Sequence, residues 1–487
     1  MIFFLKEPYL RAFQIILVFT VSFGCLSNPA QATHAPDLIP ANSRLFILDN
    51  DRTDFAARIA AIEQATADTP ILFITYILAC DESITVPFVM ALRRAADRGV
   101  PVRIINSAVT TPVYDILSTC HDLLLDSALA KHIEYTEIGG LHNNDTALIL
   151  SDSTHEKILT IGDLVFHGGR NADGAASRLD LTIATLPIDR SQANLGSQLK
   201  AQAERLWRLV TQFSPAQQNK PLTKRLKAVA HRYDRLRQIH FISEAEQEQF
   251  DDFQRFRTTF AHLEFTALNG HMTSNDFLTY ALTGIYGTSR EERLRMPDDI
   301  VDDIIGHLAG AHEIDIATMA LIMLPRLEKA IAAAVSHGAR LRIYTNDEES
   351  AGTLMPRSVS YFASLPQAVS FLRLDQNNQG GPRKVNIFGL LTHPVANREL
   401  EFLHLKFMRI DDTVIWGSSN FNINSTVGNN ETVAMVQSPE LAAHFKNFFD
   451  DSNHIFRPIT LEQAQKDYNE GPAWGGAILD HFLRVFY

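Results

Sequence analysis

The chain predicts an α/β fold of two similar lobes, each a mixed β-sheet flanked by helices. The lobes should be related by a pseudo-twofold axis, with a functional site at their interface. Three observations predict this. A helix-to-strand passage occurs twice, at residues 91–104 (ALRRAADRGVPVRI) and 330–343 (AIAAAVSHGARLRI). Apolar, β-prone runs alternate with helical patterns in both halves, which implies strands layered against helices with a mostly parallel component. A His-x-Lys pair, followed at the same distance by an Asn, is present once in each half.

The N-terminus reads as a processing segment. Lys6 and Arg11 flank or precede an apolar stretch over residues 12–24, and Ala30-Gln31-Ala32 offers a small-x-small cleavage site. The apolar run is short for a membrane span. A signal peptide is therefore expected over residues 1–32, giving an exported protein, periplasmic or secreted. Cys25 leaves with it. Cys80 and Cys120 remain, and export permits a disulfide between them; two buried thiols fit the sequence equally well.

The first lobe is expected over residues 33–213. A helical pattern at 54–67 precedes the apolar run 71–77, and the repeated helix then ends at Gly99, where glycine suits the left-handed C-terminal cap. Residues 214–260 are charged and rich in Gln, Lys, Arg and Glu, and read as a helical connector. The second lobe, 261–487, repeats the order: a helical pattern at 300–311, an apolar run at 314–319, then a helix closed by Gly338. Residues 375–384 (DQNNQGGPRK) read as a surface loop. The apolar tail 478–487 is expected to pack on its own domain.

With 487 residues the chain can bury a substantial core, and 46% hydrophobic with 21% charged residues is an ordinary globular balance. A net charge of -12 counts against a nonspecific nucleic-acid binder, so no nucleic-acid partner is expected. His142 with Asp145, His307 with His312, and His393 lack the spacing of a metal site. No metal and no cofactor are expected.

The chemistry concentrates in two constellations. The second copy holds His404, Lys406 and Asp411 on a predicted hairpin that ends at Gly417-Ser418, with Asn420 just beyond. The first holds His155 and Lys157, then Asp163 in the turn, then Gly168-Gly169 and Asn171. Residues two apart on a strand share a face, so each copy presents an imidazole and an ammonium together. Two copies meeting across an interface can enclose one phosphate. Lys157, Lys406, Asn171, Asn420 and Ser418 would then bind its oxygens. Glu431, which opens an apolar run, is placed to hold one nitrogen of His404 and fix its tautomer. Asp180 occupies the comparable place in the first copy.

These constellations resemble the signature of the phospholipase D superfamily, HxKxxxxD followed by G-[SG]-x-N, present twice. Residues 95–100 and the run 422–431 are similar to its bacterial cardiolipin-synthase-like branch. The resemblance covers roughly residues 43–449. The second motif is complete; in the first, Gly162 stands where the family has Asp, and Asp163 lines up with Asp412. Asp163 and Asp411 are read as motif support. The resemblance implies a two-step reaction at a phosphodiester, with His155 as nucleophile and His404 as general acid and base. It also implies a phospholipid substrate at a membrane surface and water or an alcohol as acceptor. A nuclease of the same superfamily, or a non-catalytic phosphate-binding protein in view of Gly162, are the alternatives.

Overall fold

The computed structural model describes residues 39–40, 42–48, 51–78, 84–107, 124, 132–138, 153–172, 178–213, 276–281, 299–347, 359–376, 383–391, 393–395, 398–400, 402–422, 425 and 429–470. The expected signal peptide, the connector 214–260, the tail 478–487, both Cys80 and Cys120, His142 with Asp145, and most of the loop 375–384 lie outside them.

In chain order the first half holds β1 (Ile39–Pro40), β2 (Ser43–Leu48), α1 (Asp51–Gln64), β3 (Ile71–Thr75), α2 (Thr85–Asp97), β4 (Val102–Ser107) and β5 (Ile133–Ile138). It continues with β6 (Ser153–Thr154), β7 (Ile158–Ile161), β8 (Leu164–Gly168), β9 (Arg178–Leu179), β10 (Thr182–Pro187) and α3 (Leu195–Phe213). The second half opens with β11 (Asp276–Ala281), α4 (Asp299–Leu308), β12 (Glu313–Thr318), α5 (Pro325–Ser336), β13 (Arg340–Asn346), α6 (Val359–Gln376) and β14 (Val385–Leu390). Then come β15 (His393–Val395), β16 (Arg398–Leu400), β17 (Phe402–Leu403), β18 (Lys406–Ile410), β19 (Thr413–Gly417), β20 (Asn429–Asn430), β21 (Thr432–Gln437), α7 (Pro439–Asp451), β22 (Phe456–Pro458) and α8 (Leu461–Glu470).

The duplication is visible strand by strand. One sheet runs β2-β10-β8-β7-β3-β4-β5; the other runs β11-β21-β19-β18-β12-β13-β14, extended by β1 and β22 at its edges. Both sheets are mixed, as expected. In each of them the parallel part is three strands, β3-β4-β5 and β12-β13-β14. The motif hairpins and their return strands make the rest antiparallel, because tight turns can join only antiparallel neighbours.

The repeated helix ends are alike in detail. Gly99 has φ +86 and Gly338 φ +118. Val100 N donates to Ala95 O and Gly99 N to Ala96 O, as Ala339 N does to Ala334 O and Gly338 N to Val335 O. These paired bonds close both helices as Schellman caps and need a residue that tolerates positive φ. At α7, Pro439 occupies the first turn, where its missing N–H costs nothing, and the Ser438 hydroxyl accepts from Leu441 N at 3.2 Å.

Each sheet buries one face against its own helices: Phe73, Phe88 and Leu92 in the first lobe, Leu327, Phe371 and Ile343 in the second. The opposite faces share a third core. Leu72, Ile74, Leu206 and Trp207 pack there with Phe407, Trp416 and Phe445. Burying each large apolar side chain contributes about 1.5–3 kcal/mol, so this shared core holds the two sheets together and fixes the seam between them.

Candidate active site

The seam carries two short parallel strand pairs that cross from lobe to lobe. In one, β6 lies beside β20; in the other, β9 lies beside β17. They continue into the motifs: His155 N donates to Asn430 O and His404 N to Leu179 O, both at 2.9 Å. Each histidine is thereby tied to the residue just before the other lobe's carboxylate.

The consequence is a crossed arrangement. His155 Nδ1 lies 3.0 and 3.1 Å from the two Glu431 oxygens. His404 Nδ1 lies 2.7 Å from Asp180 Oδ2. The expectation that Glu431 holds His404 is therefore corrected. The chain segment of each motif leaves its own sheet to pair across the seam, so the nearest carboxylate belongs to the opposite lobe.

Both imidazoles are almost fully buried, at 6% and 7% exposure. Lys157 Nζ donates to His155 O at 2.5 Å, and Lys406 Nζ sits 3.1 Å from both His404 Nε2 and His404 O. Burial lowers the His155 pKa to about 4; Glu431 opposes this, and Lys157 and Lys406 add to it. Burial and Lys406 hold His404 well below the ordinary range against the pull of Asp180. The charge of Lys406 thus bears on both rings. Burial pushes both carboxyls up, but their partners prevail. His404, Lys406 and Arg170 hold Asp180 below its usual value, and His155, Lys157 and Ser418 do so for Glu431. With each Nδ1–H donated to an ionised carboxylate, each Nε2 carries a lone pair. Such a ring can attack phosphorus directly, or take a proton once an anion sits between the lysines.

The remaining expected residues divide. Asn171 is buried, and its Oδ1 and that of Asn420 lack a hydrogen-bond partner among the described residues. Asn420 N donates to Ser425 Oγ at 3.0 Å. Ser418 was expected on the phosphate; its hydroxyl instead donates to Glu431 Oε2 and accepts from Thr432 N, so it braces the carboxylate. Gly169, its counterpart, is required for space, since a Cβ there would lie 2.5 Å from Asp180 Oδ1. His167 is buried, with Nε2 3.1 Å from Thr432 O.

The two motif turns explain the departure at Gly162. Asp411 (φ +48) and Gly162 (φ +58) hold the same left-handed turn position, and their N–H groups bond Glu313 O and Pro70 O alike. The Asp411 carboxylate caps the N–H groups of His312 and Glu313 at 2.8–3.1 Å. In the first lobe the matching residues are Thr69, whose N–H already bonds Thr66 O, and Pro70, which has none. An aspartate at 162 would find no donor. Asp163 does not replace it, because that side chain is 45% exposed and pairs with Arg190 and Lys200 on the surface. The missing Asp is thus a local matter of the turn, remote from the imidazoles. Asp411→Ala should cost about 1–2 kcal/mol through its lost caps, while Gly162→Asp should give no gain in stability; thermal unfolding of the two variants checks this.

Three residues at the site escaped sequence reasoning. The Tyr76 ring stands edge-on to His155, 4.7 Å between centroids, with Lys157 Nζ 5.1 Å from its face. Arg170 donates to Asp180 O at 2.6 Å and pairs with buried Asp54 at 3.1 Å. Arg178 adds positive charge beside His404. Arg170 lies inside the Gly-Gly-Arg-Asn stretch, which is a signal; Arg178 is brought in by the β9–β17 crossing and Tyr76 by the end of β3. Among the described residues no group of three His, Cys, Asp or Glu side chains is placed to hold a metal ion.

Two matched lobes thus form one site, each completing the other's His-Lys motif with a carboxylate. Residues 304–452, within the second lobe, match the family model described as "Cardiolipin synthase, PLD-like domain". The fold is similar over nearly the whole chain to phosphatidylserine synthase of Haemophilus influenzae, with 13% identity, 99% of this chain and 98% of that chain covered, and a TM-score of 0.61. Polyphosphate kinase of Porphyromonas gingivalis matches at 12% identity over 91% of this chain and 52% of that chain, TM-score 0.45. NucT of Helicobacter pylori matches at 17% identity over 38% and 99%, TM-score 0.26. No curated protein sequence matches the chain.

Proposed function

We propose that the protein is an exported phosphodiesterase or phosphatidyltransferase that acts on phospholipid headgroups through a phosphohistidine intermediate. The observation that carries this is the pair of buried imidazoles, each held at Nδ1 by an ionised carboxylate from the other lobe and each with a lysine of its own motif beside it. His155 Nε2 attacks phosphorus, the ester P–O bond breaks, and His404 supplies the proton that the departing alkoxide takes. His404 then accepts a proton from water or an acceptor alcohol as that oxygen attacks phosphorus and the P–N bond breaks. Lys157, Lys406, Asn171 and Asn420 stabilise charge on the nonbridging oxygens. The family model matched by the second lobe, described as cardiolipin synthase, supports the lipid reading. Export rests on the N-terminal sequence alone.

Incubation with mixed phospholipid vesicles, with and without glycerol, followed by mass spectrometry of lipids and headgroups, tests the proposal. Release of headgroup, or a new phosphatidyl alcohol, is the expected result. Cleavage of DNA with every lipid left intact would move the substrate to nucleic acid. No turnover of either by folded protein would contradict the enzymatic reading.

A further inference from the structure

Glu156, between His155 and Lys157 in the chain, has no part in this reaction, yet it is 1% exposed and neither carboxyl oxygen makes a hydrogen bond of normal geometry among the described residues. The matching position in the other motif is Leu405, which packs beside Leu181, Phe407 and Phe445. The pseudo-twofold axis that matches Glu156 to Leu405 also matches Thr432 to Leu181, because Ser418 N donates to Thr432 O as Gly169 N does to Leu181 O, both at 3.0 Å. An apolar pair on one side of the seam is thus a carboxyl and a hydroxyl on the other. Thr432 lies within electrostatic reach of Glu156, although its hydroxyl makes no bond of normal geometry. Thr432 is also clamped to Ser418 through its own N–H and C=O, and Ser418 donates to Glu431. The chain of contacts runs from Glu156 to the carboxylate that holds His155.

A carboxylate buried here would have only the Thr432 hydroxyl and the Lys157 charge to set against its burial and the repulsion of Glu431, which costs more than burying the acid. The neutral acid is a donor and can use the Thr432 hydroxyl as acceptor. We propose that Glu156 is a positioning residue that works in its protonated form, and that its ionisation disables the His155 half of the site. Ionised Glu156 would repel Glu431 and draw the Lys157 ammonium from the substrate phosphate. The charged and titratable groups that bear on it are Glu431 and Lys157; His167 meets only the far side, the carbonyl of Thr432. Burial raises the Glu156 pKa to about 8, with Glu431 adding and Thr432 and Lys157 opposing. The sign is then set. The folded protein keeps a proton that the unfolded chain gives up near 4.5, so the stability this group contributes falls as pH rises from there to about 8.

The inference rests on the phosphodiesterase reading, and its test separates the two. First, kcat/KM for a diester is measured against pH for the wild type, Glu156→Gln and Glu156→Leu. This parameter reports groups of the free enzyme, where burial holds both site histidines below their ordinary range and pushes Tyr76 up to about 12. The wild type should lose about tenfold per pH unit above about 8. Both variants should lack that limb, and Gln, which keeps a neutral donor, should retain most of the rate that Leu loses. Second, thermal shift with tungstate, an oxyanion of constant charge over this range, reads anion binding without turnover. Its stabilising effect should fade above about pH 8 in the wild type and persist in either variant. An identical alkaline limb, or identical fading with tungstate, in all three proteins overturns the inference. A wild type that turns over no diester overturns the reaction instead, and the tungstate comparison still decides the role of Glu156.

Discussion

His155→Ala should lower kcat/KM for an alkyl phosphodiester by about 10⁴-fold or more, and by the same factor for an aryl diester. His404→Ala should cost about 10²–10⁴-fold on the alkyl ester and far less on the aryl one. An alkoxide leaves poorly without a proton, so the general acid matters most there; a nitrophenolate leaves unaided, so only the nucleophile is missed. Both rings are neutral in the free protein because burial and nearby lysines suppress their charge, which suits an attacking Nε2. The acid form of His404 arises when the substrate anion offsets the Lys406 charge. Equal losses on both esters for both variants would contradict this division of labour.

The crossed carboxylates give the second large effect. Glu431→Gln should reproduce the His155→Ala pattern, a loss insensitive to leaving group, and Asp180→Asn the His404→Ala pattern, a loss that shrinks with the aryl ester. Each amide can accept no charge from the imidazolium and turns the ring toward the wrong tautomer, a change worth up to about 10⁴-fold in comparable histidine–carboxylate pairs. If each carboxylate served the histidine of its own lobe, the two patterns would be exchanged. The distances predict the crossing: 3.0 Å from His155 to Glu431 and 2.7 Å from His404 to Asp180.

Much of this was readable in the chain before any coordinates. Gly99 and Gly338 mark helix ends because few other residues accept the φ of a Schellman cap, and the hairpins at Gly162-Asp163 and Asp411-Asp412 follow from turn residues between β-prone runs. The His-Lys pairs, Asp180 and Glu431 stand out as candidate site residues from motif spacing. What spacing cannot carry is which lobe completes which motif. The partner of His155 is 276 residues away in the chain and is chosen by the β6–β20 pairing, two residues long, too short to leave a pattern. The same holds for Tyr76, placed against His155 by the end of β3, and for β1, which joins the second sheet by pairing with β11. Ser418 departs from its expected role for a local reason: a hydroxyl beside a buried carboxylate satisfies it first.

The most direct test is a crystal structure of the protein with vanadate bound at the seam. The two-histidine account predicts vanadium bonded to His155 Nε2, an apical oxygen facing His404 Nε2, and Lys157 and Lys406 on the equatorial oxygens. Vanadate held away from both rings, or the two imidazoles opening into separate cavities, would contradict it.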